Sequence, residues 1–411
     1  MTEPHDDLIE FLDASPSPYH AVAEAVGRLD RAGFVADDPD RGYRTDGGML
    51  LAWRRGRAEG ARLIGAHTDS PNLRIKPRPD GWSAGVHLVG TEPYGGLLLT
   101  SWLDLDLGWS GRVVVRGAGG PEVRLVRDDE ATMVLPRLAI HLDRDVNERG
   151  LVVDRRSGLR ALWGLGRAPV GGGSGFATRV AERAGVAVDD VLAWDLMCHD
   201  VRGAGRSGRD GELLSSGRLD NLVSCWGAVD ALVHAASSAA GDGGEVPTLV
   251  VALFDHEEVG SESATGAAGP ALGELVGELG IDRRSAALLS TDMAHAVHPN
   301  HPDRHDADHA VELGAGPALK VNVNQRYATD AVGAGLLRTV ADAAGVGLQT
   351  YVHRVDLSCG STIGPLAATR LGIRTVDLGL PMLGMHSARE TMATADVAAG
   401  RALFRAWFDP S

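Results

Sequence analysis

The amino-acid sequence predicts an α/β protein in which a mostly parallel sheet is flanked by helices and carries an inserted, β-rich second domain. The chain has 411 residues, which is long enough for two domains. Strand-like and helix-like segments alternate after residue 214, whereas β-branched runs separated by glycines fill residues 87–213. We therefore predict a discontinuous main domain from residues 1–86 and 214–411, and an inserted domain from residues 87–213.

The first part of the main domain is predicted to contain two amphipathic helices and a short buried strand. Residues 6–34 show helical apolar spacing, which the two prolines of "SPSPYH" interrupt. The stretch "ARLIGAHTDSP" begins as a buried strand and stops at His67. Polar residues therefore follow directly on a buried strand.

The second part of the main domain alternates between helices and strands. A helix is predicted through "DNLVSCWGAVDALVHAA" and a strand at residues 248–254. Further elements are predicted as a helix near 270–279, a strand at 286–291, a helix at 330–344, and strands near 349–353 and 374–379. Such alternation favours a mostly parallel sheet with helices on both faces.

The inserted domain differs from the rest of the chain in its pattern of residue types. Runs such as "GRVVVRG" and "EVRLVRD" are rich in β-branched residues and are separated by glycine turns. The glycine-rich "VGGGSGF", residues 170–176, is expected to be a flexible connection. These features predict a second, strand-rich domain.

Composition restricts the class of protein and its partners. With 40 basic and 55 acidic residues the net charge is −15, which argues against nucleic acid or an anionic membrane as the main partner. The acidic start lacks the features of a secretory signal, and no run is long enough to span a membrane. The three cysteines are far apart, which predicts reduced thiols. We expect a cytoplasmic protein.

Polar residues with metal-binding side chains follow several of the predicted strands. In open α/β sheets, binding sites form outside the carboxyl ends of the strands. Five separate segments supply His, Asp or Glu to that edge: His67-Thr68-Asp69, Asp220, Asp255 to Glu258, Asp292 and His386. Carboxylates at the end of a buried strand lose hydration unless a cation or hydrogen bonds compensate them. A positive ion is therefore expected there.

The ligand types favour a site for two divalent metal ions. Two imidazoles and three carboxylates suit zinc, cobalt or manganese: His67, His386, Asp220, Asp292 and Glu258. Asp220 is placed to bridge the two ions, which together activate water for amide hydrolysis. One of Glu257 and Glu258 is left to accept a proton from that water, and their spacing does not say which. Asp69 is a candidate acceptor for the second nitrogen of His67.

Each of these residues also has a simpler structural explanation. A His-x-Asp at a strand end is common, the two glutamates fit a solvated turn, and Asp220 fits the N-cap of its helix. Asp292 and His386 mean little in isolation. The placement of all of them at one sheet edge favours the metal site.

Long sequence blocks resemble the aspartyl aminopeptidase family of dinuclear zinc exopeptidases. The blocks cover almost the whole chain and are "SPSPYHAV", "GAHTDSPNLRIK", "LPRLAIHLDRDVNE", "SGRLDNLVSC", "FDHEEVGSESATGA", "TDMAHAVHPN", "ALKVNVNQRYATD", "CGSTIGP" and "GMHSARE". The resemblance implies one ion held by His67, Asp220 and Asp292. It implies a second ion held by Asp220, Glu258 and His386. It also implies Glu257 as the general base and Asp69 as the partner of His67.

The same resemblance implies a specificity and an assembly. The family prefers an N-terminal Asp or Glu in its peptide substrates, and Lys320 stands where a cation would pair with that side chain. Family members form tetrahedral homo-dodecamers, in which the inserted domain presents a histidine to a neighbouring site. His141 in "LAIHLDRD" is similar in position and would hydrogen-bond the scissile carbonyl or its oxyanion. Without the resemblance, Lys320 would be assigned to the surface and His141 to a strand edge.

Two departures from the family pattern concern loop shape. His256 precedes the glutamate pair where Asn or a similar residue is usual, and Ser358 precedes Cys359 where proline is frequent. The histidine-rich stretch "HAVHPNHPDRHDADH" is interrupted by prolines, so His301, His305 and His309 are expected to face solvent. His295 and His298 lie nearer Asp292, and the sequence assigns them no role.

Two other functions remain open from the sequence. One is a metal-dependent N-acyl amino acid deacylase or carboxypeptidase on the same scaffold, which would need a cation for the terminal carboxylate of its substrate. The other is a catalytically silent oligomeric shell that binds peptides. An intact ligand set beside Glu257 argues against the silent shell, because such a shell has no chemical need of both.

Overall fold

The computed structural model describes residues 3–167, 175–237 and 246–409. The chain divides into two compact units. The first unit comprises Met1–Asp69, Ala204–Met385 and Glu390–Ser411, and the second comprises Ser70–Gly203 and His386–Arg389. Most of the glycine-rich stretch at residues 170–176 lies outside the described residues.

The helices, in chain order, are α1 (Pro4–Ala14), α2 (Pro18–Arg31), α3 (Val146–Arg149), α4 (Phe176–Ala184), α5 (Leu219–Ser237), α6 (Ala271–Glu278), α7 (Ala331–Ala343), α8 (Ile363–Leu371) and α9 (Thr394–Phe408). Five of the helices, α1, α2, α5, α6 and α7, follow predicted segments, whereas α3, α4, α8 and α9 lie in segments for which no helix is predicted. The prediction of two helices separated by "SPSPYH" is confirmed. Pro18 is at the start of α2, where its missing N–H costs nothing, and the Ser17 side chain accepts a hydrogen bond from the His20 N–H.

The strands form three sheets. In chain order they are β1 (Val35–Ala36), β2 (Arg41–Asp46), β3 (Met49–Arg54), β4 (Ala61–His67), β5 (Asn72–Ser83), β6 (Val86–Tyr94), β7 (Leu107–Gly117), β8 (Gly120–Met133), β9 (Arg160–Leu165), β10 (Val191–Asp200), β11 (Gly205–Ser207), β12 (Leu213–Ser216), β13 (Thr248–Phe254), β14 (Ala287–Thr291), β15 (Ala294–His295), β16 (Ala318–Val321), β17 (Gln349–Val352), β18 (Arg374–Gly379), β19 (Pro381–Leu383) and β20 (Glu390–Ala393). The first unit contains a nine-stranded sheet and a five-stranded sheet, and the second unit contains a six-stranded sheet.

The nine-stranded sheet has the order β1-β2-β3-β13-β4-β14-β18-β16-β17. Its four central strands, β13, β4, β14 and β18, are all parallel to their neighbours within that group. Antiparallel pairs occur towards the edges, at β2 with β3, at β3 with β13, and at β16 with β18. The predicted α/β fold with a mostly parallel sheet is confirmed.

Helices cover both faces of this sheet because successive strand residues point to opposite sides. Ile64 and Val251 pack into a core shared with α1, α2, α5, α7 and α9. Their chain neighbours Leu63 and Val250 pack on the opposite side with α6 and α8. Such doubly covered strands are apolar along their whole length, and they place their polar residues just beyond their ends.

The second unit is built around a six-stranded sheet with the order β8-β7-β10-β5-β6-β9. Strands β5 and β6 form an antiparallel pair within it. This unit therefore begins at Ser70, earlier than the predicted boundary after residue 86, and it also includes the short segment His386–Arg389. Its own core contains Trp109 and Phe176, which pack edge to face.

Among the described residues, no helix combines the length and apolar character that a membrane crossing requires.

Candidate metal centre

The carboxyl ends of three parallel strands bring the first site residues together. His67 is the last residue of β4 and is paired with Phe254, the last residue of β13. On the other side of β4, Ser290 of β14 is paired with Gly65. Asp292, two residues after Ser290, is therefore carried to the level of His67. The glutamate pair follows the end of β13 in the same way.

Asp220 reaches this edge from the start of α5. The backbone at Asp220 is not helical, with ψ 105°, and the peptide bond to Asn221 is cis. The Asp220 N–H donates to the Glu390 carboxylate at 3.2 Å, and the Asn221 side-chain amide donates to the Thr291 carbonyl at 2.9 Å. The first bond ties the start of α5 to β20, and the second ties it to the end of β14.

His67, Asp220 and Asp292 form a compact buried group. The His67 Nε2 atom lies 3.5 Å from Asp220 Oδ1 and 3.5 Å from Asp292 Oδ1. These separations are long for hydrogen bonds. They match the roughly 3.4 Å between ligand atoms around a tetrahedral zinc ion with bonds of about 2.0–2.2 Å. One imidazole and two carboxylates in this arrangement therefore fit zinc.

The orientation of the His67 ring leaves Nε2 to act as the ligand atom. Its Nδ1 atom lies 3.0 Å from the backbone carbonyl of Asp69, whereas the nearer Asp69 carboxylate oxygen is 3.5 Å away. Burial lowers the pKa of His67, but the neighbouring carboxylates of Asp220, Asp292 and Asp69 raise it well above its usual value. The imidazole is thus surrounded by negative charge that a metal ion would neutralise.

Glu257 and Glu258 lie in a turn of 3-10 helix after the end of β13. The predicted strand at residues 248–254 is confirmed as β13, and the two glutamates follow it after Asp255 and His256. The two carboxylate oxygens of Asp69 accept hydrogen bonds from the Glu257 N–H at 3.0 Å and the Glu258 N–H at 3.1 Å. His67, Glu257 and Glu258 offer ligand atoms that all lie within 4.8 Å of one another. Asp69 therefore fixes the backbone of the glutamate pair.

Burial dominates the acid–base character of Glu257. Loss of hydration raises its pKa to about 8, the positive charge of His67 opposes this shift, and the negative charge of Asp292 adds to it. The preceding residue, His256, adopts a left-handed conformation with φ 62°. Asn enters that conformation more readily than most residues, and the His256 ring is held by a hydrogen bond to the Ser263 hydroxyl at 2.9 Å.

His386 belongs to the segment that groups with the second unit. Its backbone is left-handed, with φ 67°. Its Nδ1 atom lies 3.1 Å from the Gly96 carbonyl oxygen, and its own carbonyl accepts a hydrogen bond from the Leu98 N–H at 2.9 Å. With Nδ1 directed at a carbonyl, His386 would coordinate a metal ion through Nε2, as His67 would.

Lys320 is buried, although the sequence without the resemblance would place it on the surface. Only 3% of the residue is exposed. Its Nζ atom donates to the Met293 carbonyl at 2.7 Å, lies 3.8 Å from Asp292 Oδ2, and lies 5.0 Å from the centre of the Tyr327 ring. A buried ammonium therefore lies next to one of the candidate ligands.

His141 lies within the second unit. It is exposed in a short 3-10 helix, Ile140–Leu142, whose two apolar end residues are exposed as well. The sequence prediction of a strand edge at this position is therefore wrong.

Sequence reasoning missed several residues that support the site. Glu390, which accepts a hydrogen bond from the Asp220 N–H, looks like a surface glutamate by itself, but it ends the block "GMHSARE", so the resemblance could have suggested it. Cys225 donates its thiol to the His67 carbonyl at 3.0 Å, and burial raises the pKa of this thiol to about 12. Tyr327 follows Lys320 in the block "ALKVNVNQRYATD", so the resemblance could have suggested it.

A sheet edge that gathers a buried imidazole, buried carboxylates and an adjacent glutamate pair is typical of a metal-dependent hydrolase. Residues 11–408 match the family described as aminopeptidase I zinc metalloprotease (M18). A probable M18 family aminopeptidase 2 of Mycobacterium leprae is 46% identical over 428 residues, covering 98% of this chain and 97% of the relative. Another from Streptomyces avermitilis is 46% identical over 417 residues, covering 95% and 94%. The chain belongs to the M18 family of zinc metalloprotease aminopeptidases.

Solved structures agree with this assignment. Yeast aminopeptidase 1 gives a TM-score of 0.84 at 26% identity, covering 98% of this chain and 96% of that one. The S. cerevisiae mApe1 dodecamer gives 0.85 at 26% identity, with the same coverage. An M18 aminopeptidase from Thermotoga maritima gives 0.83 at 24% identity, covering 98% and 95%, and bears on the fold alone.

Proposed function

We propose that this enzyme releases N-terminal Asp and Glu residues from peptides by metal-assisted attack of water, with Glu257 as the general base. The observation that carries the proposal is the buried group of His67, Asp220 and Asp292 next to Glu257, with a buried lysine on the far side of Asp292. Two ions, most simply zinc with manganese or cobalt as alternatives, would polarise the scissile carbonyl and favour ionisation of water when bound.

The ligand assignment follows from donor chemistry and from the family blocks. His67, Asp220 and Asp292 would hold one ion, and Asp220, Glu258 and His386 would hold the other. The first group is supported by its separations of 3.5 Å. His386 is supported by its place in "GMHSARE" and by the carbonyl that engages its Nδ1 atom.

Glu257 is the proton carrier in this proposal. Burial raises the pKa of Glu257, and the positive charge of bound ions would lower it again, which leaves a carboxylate that can accept a proton and then return it. Glu257 takes a proton from the attacking water at a carboxylate oxygen and donates it to the departing amine. Asp69 keeps the Glu257 backbone in place through the bond at 3.0 Å.

Lys320 is the proposed reader of the acidic side chain. Its ammonium has three N–H groups, of which one is directed at the Met293 carbonyl. Its buried position makes a substrate carboxylate a stronger partner than it would be in water. A neutral side chain would leave this cation without that partner, so the site would discriminate against it.

The proposed assembly is a cytoplasmic homo-dodecamer in which the second unit makes subunit contacts. The S. cerevisiae relative forms a dodecamer. Exposed apolar residues on either side of His141, namely Ile140 and Leu142, are suited to burial against another subunit. His141 would then be presented to the substrate carbonyl of a neighbouring copy.

A peptide panel tests the proposal. Chelator-stripped protein would be resupplied with Zn²⁺, Mn²⁺ or Co²⁺ and given Asp-, Glu-, Leu- and Ala-peptides with free or acetylated amino termini. We expect metal-dependent cleavage of the free Asp- and Glu-peptides. Cleavage of acetylated peptides would indicate a deacylase instead, and inactivity with every metal would indicate a silent shell.

A further inference from the structure

A cavity of about 260 Å³ in the first unit is lined by an unusual number of histidines. They are His295, His298, His305, His309 and His353. His305, which is predicted to face solvent, is partly buried at this cavity, whereas the side chain of His309 keeps an exposed fraction of 40%. None of these residues belongs to the candidate metal centre.

Two of the imidazoles are set to donate hydrogen bonds. His298 Nδ1 accepts a hydrogen bond from the Asn300 N–H at 3.2 Å, so a neutral His298 ring carries its proton on Nε2. His305 Nε2 accepts from the His298 N–H at 3.2 Å, so a neutral His305 ring carries its proton on Nδ1. Both rings keep an N–H donor in the neutral state and gain positive charge when protonated.

The remaining charges leave the cavity positive. Among the described residues that line it, Asp306 is the only acid, and its carboxylate is engaged by His309 at 2.7 Å. Arg354 is held by Asp356 at 2.7 Å, whereas Arg304 adds an exposed guanidinium. An anion in the cavity would meet donors and positive charge on several sides.

The surroundings of His305 favour the neutral form of its ring. Burial lowers the pKa of its imidazole, and the neighbouring His298 and His353 lower it further. The neutral His305 ring then offers its Nδ1–H group as a hydrogen-bond donor to an anion. The net charge of the protein is −15, so the local charge at this cavity is opposite in sign to that of the protein as a whole.

The cavity lies close to Lys320. Strands β16 and β17 are parallel, with Lys320 paired to Tyr351, which lines the cavity. The Tyr351 ring lies 6.2 Å from the Tyr327 ring, and the Tyr327 ring lies 5.0 Å from Lys320 Nζ. The cavity wall is therefore within about 11 Å of the ammonium, the length of about three extended residues.

We propose that this histidine-lined cavity binds a second carboxylate of the peptide, located two or three residues after the N-terminal acidic residue. The inference rests on the proposed function, because it requires the first acidic side chain to lie at Lys320. The carboxylate comes either from an acidic side chain or from the carboxyl terminus of a short peptide. Peptides with two such carboxylates are then preferred over peptides with one.

Kinetics with matched peptides test this proposal. The peptides are Asp-Ala-Ala-Glu and Asp-Ala-Ala-Gln with amidated carboxyl termini, and Asp-Ala-Ala with a free carboxyl terminus or an amide. We expect the Glu peptide to exceed the Gln peptide about tenfold in kcat/KM, the scale of one charge-assisted hydrogen bond. A comparable gain for free over amidated Asp-Ala-Ala would identify the terminal carboxylate as a source. Ratios near one for both pairs would overturn the proposal.

Variants of the cavity locate the effect. In Arg304→Met combined with His305→Gln, the Glu-to-Gln ratio should fall to near one. Arg283→Met removes an exposed charge of the same unit that does not line the cavity, and it should leave the ratio unchanged. A ratio that persists in the double variant would place the recognition elsewhere.

A binding measurement separates this inference from the proposed function. Calorimetric titration with glutarate and with inorganic phosphate uses the intact protein and needs no turnover. Glutarate binding that disappears in the double variant supports the cavity even if no peptide is cleaved, in which case only the proposed function fails. Binding of phosphate but not glutarate would overturn the assignment to a peptide carboxylate. Cleavage of acidic peptides without glutarate binding would refute the inference alone.

Discussion

Asp69→Asn distinguishes two ways in which this aspartate can act. Its carboxylate is fully buried, and its two oxygens accept the N–H groups of Glu257 and Glu258 at 3.0 and 3.1 Å. The His67 ring is bonded to the Asp69 backbone carbonyl at 3.0 Å, which the substitution leaves in place. The variant should therefore disturb the glutamate pair more than the imidazole.

The expected size follows from the hydrogen bonds. Whichever way the new amide turns, its NH₂ group faces one of the two backbone N–H groups, so one bond to a charged acceptor is lost. Such a bond contributes about 1.5–3 kcal/mol, which corresponds to roughly a 10- to 150-fold loss if the whole amount appears in the transition state. If Asp69 acted instead by supporting His67 as a zinc ligand, its substitution would weaken zinc binding by about 10- to 100-fold.

The assay is kcat at saturating zinc together with zinc affinity, both measured on Asp69→Asn. We expect kcat to fall by the amount given above and zinc affinity to change less than about tenfold. Asp396→Asn is the matched control, since Asp396 is also fully buried and its two oxygens accept the N–H groups of Gly314 and Gly316 at 2.7 and 2.8 Å. Normal kcat with strongly reduced zinc affinity would refute the role assigned to the glutamate backbone.

Three further predictions concern the base, the selector and stability. Glu257→Gln should retain zinc by elemental analysis but lose about 10²- to 10⁴-fold in kcat, and near-normal turnover would remove Glu257 from the mechanism. Lys320→Met should reduce the advantage of Glu- over Leu-peptides by about 1–3 kcal/mol in kcat/KM, and an unchanged ratio would exclude Lys320 as selector. Burial raises the pKa of Asp230, but Arg405 and Arg401 together hold it below its usual value, so the stabilisation is present at neutral pH and is lost as pH falls through that lowered pKa. Asp230→Asn should therefore lower the free energy of unfolding by about 3–5 kcal/mol at pH 7 in urea titrations and by less once the pH has fallen below that lowered pKa; a loss that stays the same at every pH would contradict the ion-pair explanation.

Much of the fold could be predicted because the buried strands are apolar along their length and the predicted helices repeat their apolar residues with a helical period. The domain boundary could not, and β5 shows why. Its sequence "NLRIKPRPDGWS" contains two prolines, and the pairing with β6 is irregular between Ile75 and Asp80. Proline removes a ladder donor, so the segment lacks the alternation that identifies a strand. Its assignment to the second unit follows from its pairing with β6, which its own sequence does not show.

The metal centre was partly predictable for a similar reason. Parallel strands end at one edge, so His67 and Asp292 could be placed together from strand ends alone. The burial of Lys320 could not be predicted from its own segment. Strand β16 is short and flanked by polar residues, which suggests exposure. In the sheet it lies between β17 and β18, and this position buries Lys320. The histidine-lined cavity likewise depends on how distant loops meet.

The most direct measurement compares Asp-Ala-Ala with the isosteric Asn-Ala-Ala as substrates of the zinc-loaded enzyme and of the chelator-stripped enzyme. Both peptides have the same size, so only the charge of the first side chain differs. We predict zinc-dependent cleavage with kcat/KM at least about tenfold higher for the Asp peptide, as expected for one charge-assisted contact. Equal kcat/KM for the two peptides, or cleavage that survives complete removal of metal, would contradict a metal-dependent aminopeptidase that selects acidic amino termini.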